Sequence, residues 1–69
     1  QCFWMRHMHF SLDIIWTDAQ RRVVFLKTSL SPDTYPQSYC SSKPTAYVLE
    51  VPAGTVQKTG IHLGQVLTF

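Results

Sequence analysis

Two histidines separated by one residue, His7 and His9, are the most obvious pair of potential metal ligands in the sequence. Alternate residues of an extended strand lie on the same side, so both imidazoles would face one zinc or copper ion. Further ligands would have to come from residues scattered along the chain: Cys2, Met5, Cys40 and His62. No CxxC or HExxH spacing accompanies them, so exposed or locally hydrogen-bonded histidines are the simpler interpretation, and we expect no cofactor.

Two acidic residues, Asp13 and Glu50, are the candidates for general acid–base chemistry. Each lies on the face of its predicted strand opposite the apolar stripe, so the carboxylates would form a pair if the two strands were neighbours. Catalysis would also require that both converge in a pocket suited to proton transfer. The alternative is that both acids are solvated or bonded to the backbone.

Cys40, which follows Tyr39, is the candidate nucleophile. A thiol needs a histidine or another activating group beside it, and no local Cys/His signature or G-x-S-x-G elbow occurs in the sequence. A disulfide between Cys2 and Cys40 would stabilise a small domain by about 2–4 kcal/mol. With only these two distant cysteines, we predict two free thiols.

The charge of the chain does not indicate a nucleic-acid partner, because the net charge is only +2 and such proteins concentrate basic residues. Aromatic and arginine residues are nevertheless numerous enough for a stacking platform. The candidates are Trp4, Arg6, Phe10, Trp16, Arg21 and Arg22. Aromatic residues at strand spacing are more often core residues. No apolar run is long enough for a transmembrane helix, so we expect no membrane insertion.

The periodicity predicts one mainly β domain over residues 1–69. Apolar and β-branched segments at 2–10, 12–17, 22–28, 45–51 and 64–69 favour strands. "LDIIWT" at 12–17 alternates, with Leu12, Ile14 and Trp16 on one face, and predicts a half-buried strand. Asp18 begins a turn, so the second and third strands should form a hairpin.

Residues 29–44 hold three of the four prolines, and we predict a long loop there. Residues 53–59 predict one short C-terminal helix. Gly60 supplies the left-handed residue after it, Lys58 lies in the last turn, and Ile61 is placed to close over Val56. So short a helix must be stabilised by packing on a sheet.

Two long segments of the sequence resemble a known family. "FWMRHMHFSLDIIWTDAQRRVV" at 3–24 and "AYVLEVPAGTVQKTGIHLGQVL" at 46–67 are similar to the family called domain of unknown function 192. Its members show an aromatic-Trp-Met start, a Leu-Asp-Ile-Ile strand, an Asp-led turn and a Pro-Ala-Gly segment before a short helix. The resemblance implies a β-sandwich or an irregular barrel-like sheet, and it implies no activity.

The resemblance also implies strands that are absent from this sequence, because family members carry additional N-terminal strands. The chain begins at Gln1 without an initiator Met or a signal peptide, and these features do not distinguish cytoplasmic from exported protein. A sheet without its first strands would expose an edge, so we predict a homodimer formed through that edge. Gln65 replaces the Asp usual in the family, which makes any role of that acid doubtful here.

These observations leave two hypotheses for function. The preferred one is a non-catalytic β module that binds a protein or small ligand through the 29–44 loop and the adjoining sheet edge. The candidate binding residues are Trp4, Asp13, Tyr39, Tyr47 and Glu50. The alternative is a small metal-dependent or carboxylate-based enzyme that uses His7, His9, Asp13 and Glu50.

Overall fold

The computed structural model describes residues 2–4, 10–31, 38–40 and 44–69, with side chains described for 10–31 and 44–69. Its elements are β1 (Cys2–Trp4), β2 (Leu12–Thr17), β3 (Val23–Leu30), β4 (Ser38–Cys40), β5 (Tyr47–Pro52) and α1 (Thr55–Thr59). β1 and β4 form a two-stranded antiparallel sheet, while the main sheet is open and antiparallel in the order β3-β2-β5. The mainly β class predicted from the sequence is confirmed.

The central strand β2 has the predicted bounds, but it is buried on both faces rather than on one. Leu12, Ile14 and Trp16 form a core cluster on the first face. Ile15 belongs to a second cluster on the other face, where α1 and the segment after it cover the sheet. An apolar residue on the presumed polar face is typical of a strand covered on both sides. Because Trp16 is fully buried, it cannot take part in a nucleic-acid stacking platform.

The predicted hairpin between β2 and β3 is present, and Asp18 organises its turn. Asp18 Oδ1 accepts hydrogen bonds from the backbone N–H groups of Gln20 (3.0 Å) and Arg22 (2.9 Å). The Arg21 N–H donates to the Asp18 carbonyl at 3.0 Å, and Arg21 has φ 65°. A turn followed by one left-handed residue is a common hairpin connection that fits the twist of the strands.

Replacing Asp18 with alanine is therefore expected to lower the free energy of unfolding by about 1–2 kcal/mol, because two backbone donors lose their acceptor in a partly solvated turn. Asp18→Asn keeps the Oδ1 acceptor and is the matched control, with an expected loss of less than about 0.5 kcal/mol. Urea denaturation of both variants measures the difference. Equal losses for the two would show that Oδ1 does not hold the turn.

Helix α1 is shorter than the predicted 53–59 and occupies Thr55–Thr59. Gly54, with φ 93°, precedes it and provides no side chain that could cap the first turn. The predicted end is confirmed: Gly60 has φ 76° and its N–H donates to the Val56 carbonyl at 3.0 Å. Ile61 packs against the cluster that contains Val56, as expected. The buried side chain of Val56, packed in this apolar cluster, thus holds the helix on the sheet.

Several strands also differ from the predicted element boundaries. Of the strand predicted at 2–10, β1 takes up Cys2–Trp4 and residues 5–9 lie outside the described residues, while β3 and β5 are Val23–Leu30 and Tyr47–Pro52 instead of 22–28 and 45–51. The interval 29–44 contains the last two residues of β3 and the short strand β4, while 32–37 and 41–43 lie outside the described residues.

The C-terminal segment forms one bridge, between Arg22 and Val66, instead of a strand. The backbone groups on either side of this bridge are also bonded, since the Leu67 N–H donates to the Arg21 carbonyl and the Val23 N–H to the Gln65 carbonyl, both at 2.8 Å. Within the described part of the chain, no helix is long and apolar enough to cross a membrane.

Candidate functional site

A β-bulge interrupts the pairing of β2 with β3 at Asp13. There β3 places two residues, Thr28 and Ser29, opposite the single residue Asp13. Ser29 has φ 56°, a left-handed conformation that non-glycine residues seldom adopt. The bulge directs the Ser29 N–H to the side chain of Asp13 instead of into the ladder, and the two atoms N and Oδ1 are 2.9 Å apart.

The second carboxylate oxygen of Asp13 holds the beginning of α1. The backbone N–H of Val56 donates to Asp13 Oδ2 at 2.9 Å. Because Gly54 cannot cap the helix with a side chain, the carboxylate of a distant strand performs the role that an N-cap residue normally has. Asp13 is fully buried and joins β2, the β3 bulge and α1 through two charge-assisted hydrogen bonds.

A small cavity lies above this junction. Its volume is about 120 Å³, and its walls are formed by Asp13, Thr28, Ser29, Gly54, Val56 and Gln57. Ligand pockets of about 300–1,000 Å³ are usual for drug-sized molecules, so this cavity accommodates only a few waters or a very small polar molecule. The Asp13 carboxylate, engaged on both oxygens and closed off from solvent, lies beneath the cavity.

The carboxylate pair considered for catalysis does not form. In the antiparallel pairing of β2 with β5, Asp13 lies opposite Val51 and Glu50 lies opposite Ile14. Opposed residues share a face and successive residues alternate, so the carboxylates of Asp13 and Glu50 lie on opposite faces of the sheet. Glu50 is exposed. The hypothesis of an acid–base pair at these two positions was therefore wrong. The two strands are neighbours as required, but their register is offset by one residue from the one that would place both acids on the same face.

An arginine and two aromatic rings form an exposed cluster at the end of the sheet where β5 begins. The guanidinium carbon of Arg21 lies 4.9 Å from the centre of the Phe69 ring and 6.0 Å from that of Tyr47. The two rings contact each other edge to face with centres 5.4 Å apart. Tyr47 is 41% exposed and Phe69 is 46% exposed. Among the described residues, Arg21 has no acidic partner.

The outer edge of β5 carries backbone groups that no described strand pairs. The Ala53 N–H donates to the Ser11 carbonyl at 3.1 Å, and pairs that exchange hydrogen bonds recur at every second residue of an antiparallel ladder. Ala53 faces Ser11 in this register, so residues of β5 at even distances from Ala53 bond to β2. Val48 and Glu50 lie at odd distances from Ala53 and therefore direct their N–H and C=O groups away from β2. Tyr47 and Glu50, two of the predicted binding residues, both belong to this edge strand, and their side chains lie on opposite faces of the sheet.

The other predicted site residues belong to the small sheet or lie outside the described residues. Trp4 is the last residue of β1, opposite Ser38, and Tyr39 of β4 lies opposite Phe3. His7 and His9 fall outside the described residues. In the ranges that are described, no three His, Cys, Asp or Glu residues are grouped as metal ligands.

Gln65 closes a turn at the start of the C-terminal segment. Its Oε1 accepts a hydrogen bond from the His62 N–H at 3.1 Å, and its own N–H donates to the His62 carbonyl at 3.2 Å. These two hydrogen bonds satisfy three backbone groups of the turn: the His62 N–H, the His62 carbonyl and the Gln65 N–H.

Sequence reasoning missed Arg21 and Phe69 as members of one cluster and Ser29 and Val56 as partners of Asp13. No local pattern joins these residues, because each contact spans different elements. The only available signal was negative: Pro52-Ala53-Gly54 precedes the helix without a Ser, Thr, Asp or Asn at the N-cap position, so the helix needed an acceptor from elsewhere.

Comparisons with known proteins give a family but no activity. The sequence model of DUF192, described as "Uncharacterized ACR", matches residues 1–69. A crystal structure of a protein of unknown function from Novosphingobium aromaticivorans DSM 12444 is similar, with a TM-score of 0.84 and 33% sequence identity over 93% of this chain. The match covers 45% of that protein, so the present chain corresponds to less than half of its length. No curated protein matches.

Proposed function

The chain belongs to the DUF192 family of uncharacterised proteins, and we propose that this domain is a non-catalytic module that binds an extended segment of a partner protein along the outer edge of β5. The observation that carries the proposal is that no described strand pairs with the outward backbone groups of Val48 and Glu50. Addition of a strand to a sheet edge supplies main-chain hydrogen bonds, and pockets or charges beside the edge supply specificity.

The Arg21–Tyr47–Phe69 cluster supports a partner that carries a carboxylate near the Tyr47 end of the edge. Contact with the two rings restrains the Arg21 guanidinium. Its N–H donors are available to a ligand because no described acid pairs with it. A planar guanidinium suits a carboxylate through two parallel hydrogen bonds, and less entropy is lost when the fork is already positioned. The exposed rings would cover the apolar part of the same residue.

The geometry of the two acids supports a binding role over a catalytic one. Both oxygens of Asp13 accept backbone hydrogen bonds inside the protein, and Glu50 lies on the opposite face of the sheet. The cavity beside Asp13 is too small for most substrates. A general base must reach the proton that it removes, and the Asp13 carboxylate is not accessible for this.

The test is a titration of ¹⁵N-labelled protein with a peptide, followed by amide chemical shifts. The peptide is an acetylated pentapeptide of alternating valine and threonine that ends in aspartate, and its amidated asparagine analogue is the control. The proposal expects the shifts of the Val48 and Glu50 amides to change most. If both peptides leave these two amides unchanged at millimolar concentration, the proposed edge binding is wrong.

Two pairs of variants assign the contacts. Glu50→Pro removes the outward N–H without removing a ladder bond to β2, whereas Glu50→Gln keeps it, so only the former is expected to abolish binding. Arg21→Gln is expected to weaken binding of the acidic peptide at least about tenfold, because the two charge-assisted hydrogen bonds of the guanidinium are lost. Lys58→Gln, a change of the same charge on α1, should leave the affinity unaltered.

Sedimentation equilibrium of the free protein distinguishes a separate partner from a second copy of the chain. The sequence predicts a homodimer through an exposed sheet edge without specifying which edge. If the outer edge of β5 is the interface, the dimer would compete with the peptide and would be lost in Glu50→Pro. A dimer that persists in Glu50→Pro would place self-association elsewhere and contradict this edge as its interface. Equal affinity of wild type and Arg21→Gln for the acidic peptide would contradict the carboxylate contact alone.

A further inference from the structure

The two cysteines of the chain lie directly opposite each other in the small sheet. β1 and β4 pair antiparallel in the register Cys2 with Cys40, Phe3 with Tyr39 and Trp4 with Ser38. The two residues are far apart in the sequence, so this register is a property of the fold rather than of a local turn. No other cysteine occurs in the chain.

The backbone separation of such a pair suits a disulfide. Directly opposed residues of an antiparallel ladder have Cα atoms about 4.5 or about 5.5 Å apart, according to whether the pair exchanges hydrogen bonds. Disulfides require Cα separations of about 4.4–6.8 Å, so either kind of pair is within reach. If the register were shifted by one residue, Cys2 would no longer face Cys40. Neither of the other two pairs contains a cysteine.

The small sheet also needs stabilisation that its length does not provide. Each of its strands has three residues, and it is separate from the main sheet. An isolated pair of strands is marginally stable at best in water. Closing the chain between the two strands also costs configurational entropy, which a covalent link removes from the folding step.

From this placement we propose that Cys2 and Cys40 form an intramolecular disulfide that joins β1 to β4, in place of the two free thiols expected from the sequence. The oxidant is a low-molecular-weight disulfide. One cysteine thiolate attacks it, forms a mixed disulfide and releases one thiol. The second cysteine thiolate then displaces the other thiol and forms the protein disulfide. The protein loses two protons and two electrons, and the oxidant is reduced to two thiols.

The experiment treats the reduced protein with oxidised glutathione and then with an alkylating reagent under denaturing conditions. The proposal expects a monomer that is two hydrogens lighter than the reduced form and takes up no alkyl group. Proteolytic peptides should show residue 2 linked to residue 40. Cys2→Ser and Cys40→Ser, each with one thiol, should instead retain a glutathione adduct.

Thermal melting gives an independent readout. Oxidised wild type should melt at least about 10 °C higher than the reduced protein, given the size of disulfide stabilisation and of this domain. The double variant Cys2→Ser/Cys40→Ser should melt with the reduced wild type under both conditions, which shows that it folds. Any one of three results would overturn the proposal: two alkylated thiols after oxidation, a disulfide-linked dimer, or equal melting temperatures of oxidised and reduced wild type.

Discussion

Replacing Asp13 with alanine is expected to lower the free energy of unfolding by about 2–6 kcal/mol, because the backbone N–H groups of Ser29 and Val56 would each lose their acceptor at a cost of about 1–3 kcal/mol. A domain of 69 residues is typically stable by roughly 3–10 kcal/mol. The loss is therefore a large fraction of the total stability of the domain. Urea denaturation followed by circular dichroism measures the loss.

Two further variants separate the role of the Asp13 carboxylate from a general effect of charge. Asp13→Asn keeps one acceptor oxygen but turns an NH₂ group toward the second backbone donor, so an intermediate loss is expected. Glu50→Gln removes one negative charge from the exposed edge of the same sheet and should change stability by less than about 0.5 kcal/mol. If Asp13→Asn were as stable as Glu50→Gln, the carboxylate would not be holding these elements.

Replacing Trp16 with alanine is expected to cost about 3–5 kcal/mol, the usual range when a large buried aromatic residue is removed. Trp16 is fully buried, and its ring centre lies 5.3 Å from that of Phe25. The cavity left behind would open the core cluster that also contains Ile14 and Leu30. The mid-point of chemical denaturation should fall, with a far-UV spectrum that loses its strand signal at lower urea concentration.

Controls for the core prediction come from residues of the same class. Trp16→Phe retains an aromatic ring against Phe25 and should lose clearly less than the alanine variant. Phe69→Ala removes a ring that is already 46% exposed and should cost less than about 1.5 kcal/mol. If Trp16→Ala were no more destabilising than Phe69→Ala, the first core cluster would not support the domain.

The regular elements of the fold were predictable because their signals are local. "LDIIWT" matches β2 residue for residue, and the Asp18 turn makes the hairpin that its residue type favours. Gly60 ends α1 because a left-handed residue is needed there. The mainly β class followed from these signals and agrees with the strands and sheets of the structure.

The candidate site was only partly predictable, because register and bulges decide it. Asp13 and Glu50 both stood out as acids on β strands, but a pairing offset of one residue places them on opposite faces. The bulge at Ser29 leaves no clear trace in "KTSL", and the bond from Asp13 to Val56 joins residues 43 positions apart. The alternating pattern of β2 predicted one exposed face, because Ile15 is the only strongly apolar residue on that face, whereas both faces are buried.

The arrangement separates the residues that hold the fold from those available to a partner. Asp13 belongs to the first group, since its carboxylate fastens the bulge and the helix inside the protein. Val48, Glu50 and the Arg21 cluster belong to the second, because they lie at the end and the outer edge of the sheet. A partner bound at this edge as proposed would therefore leave the contacts that Asp13 makes undisturbed.

Amide hydrogen exchange of Asp13→Asn tests most directly the claim that this buried acid is a structural link. Compared with Glu50→Gln, the variant is expected to exchange at least about tenfold faster at the one amide, Val56 or Ser29, that the asparagine NH₂ group faces, because that amide loses its acceptor. The amides of Ile15 and Leu49, in the centre of the main sheet, serve as references for global opening. Unchanged protection at both Val56 and Ser29, in a variant that remains folded, would contradict the account.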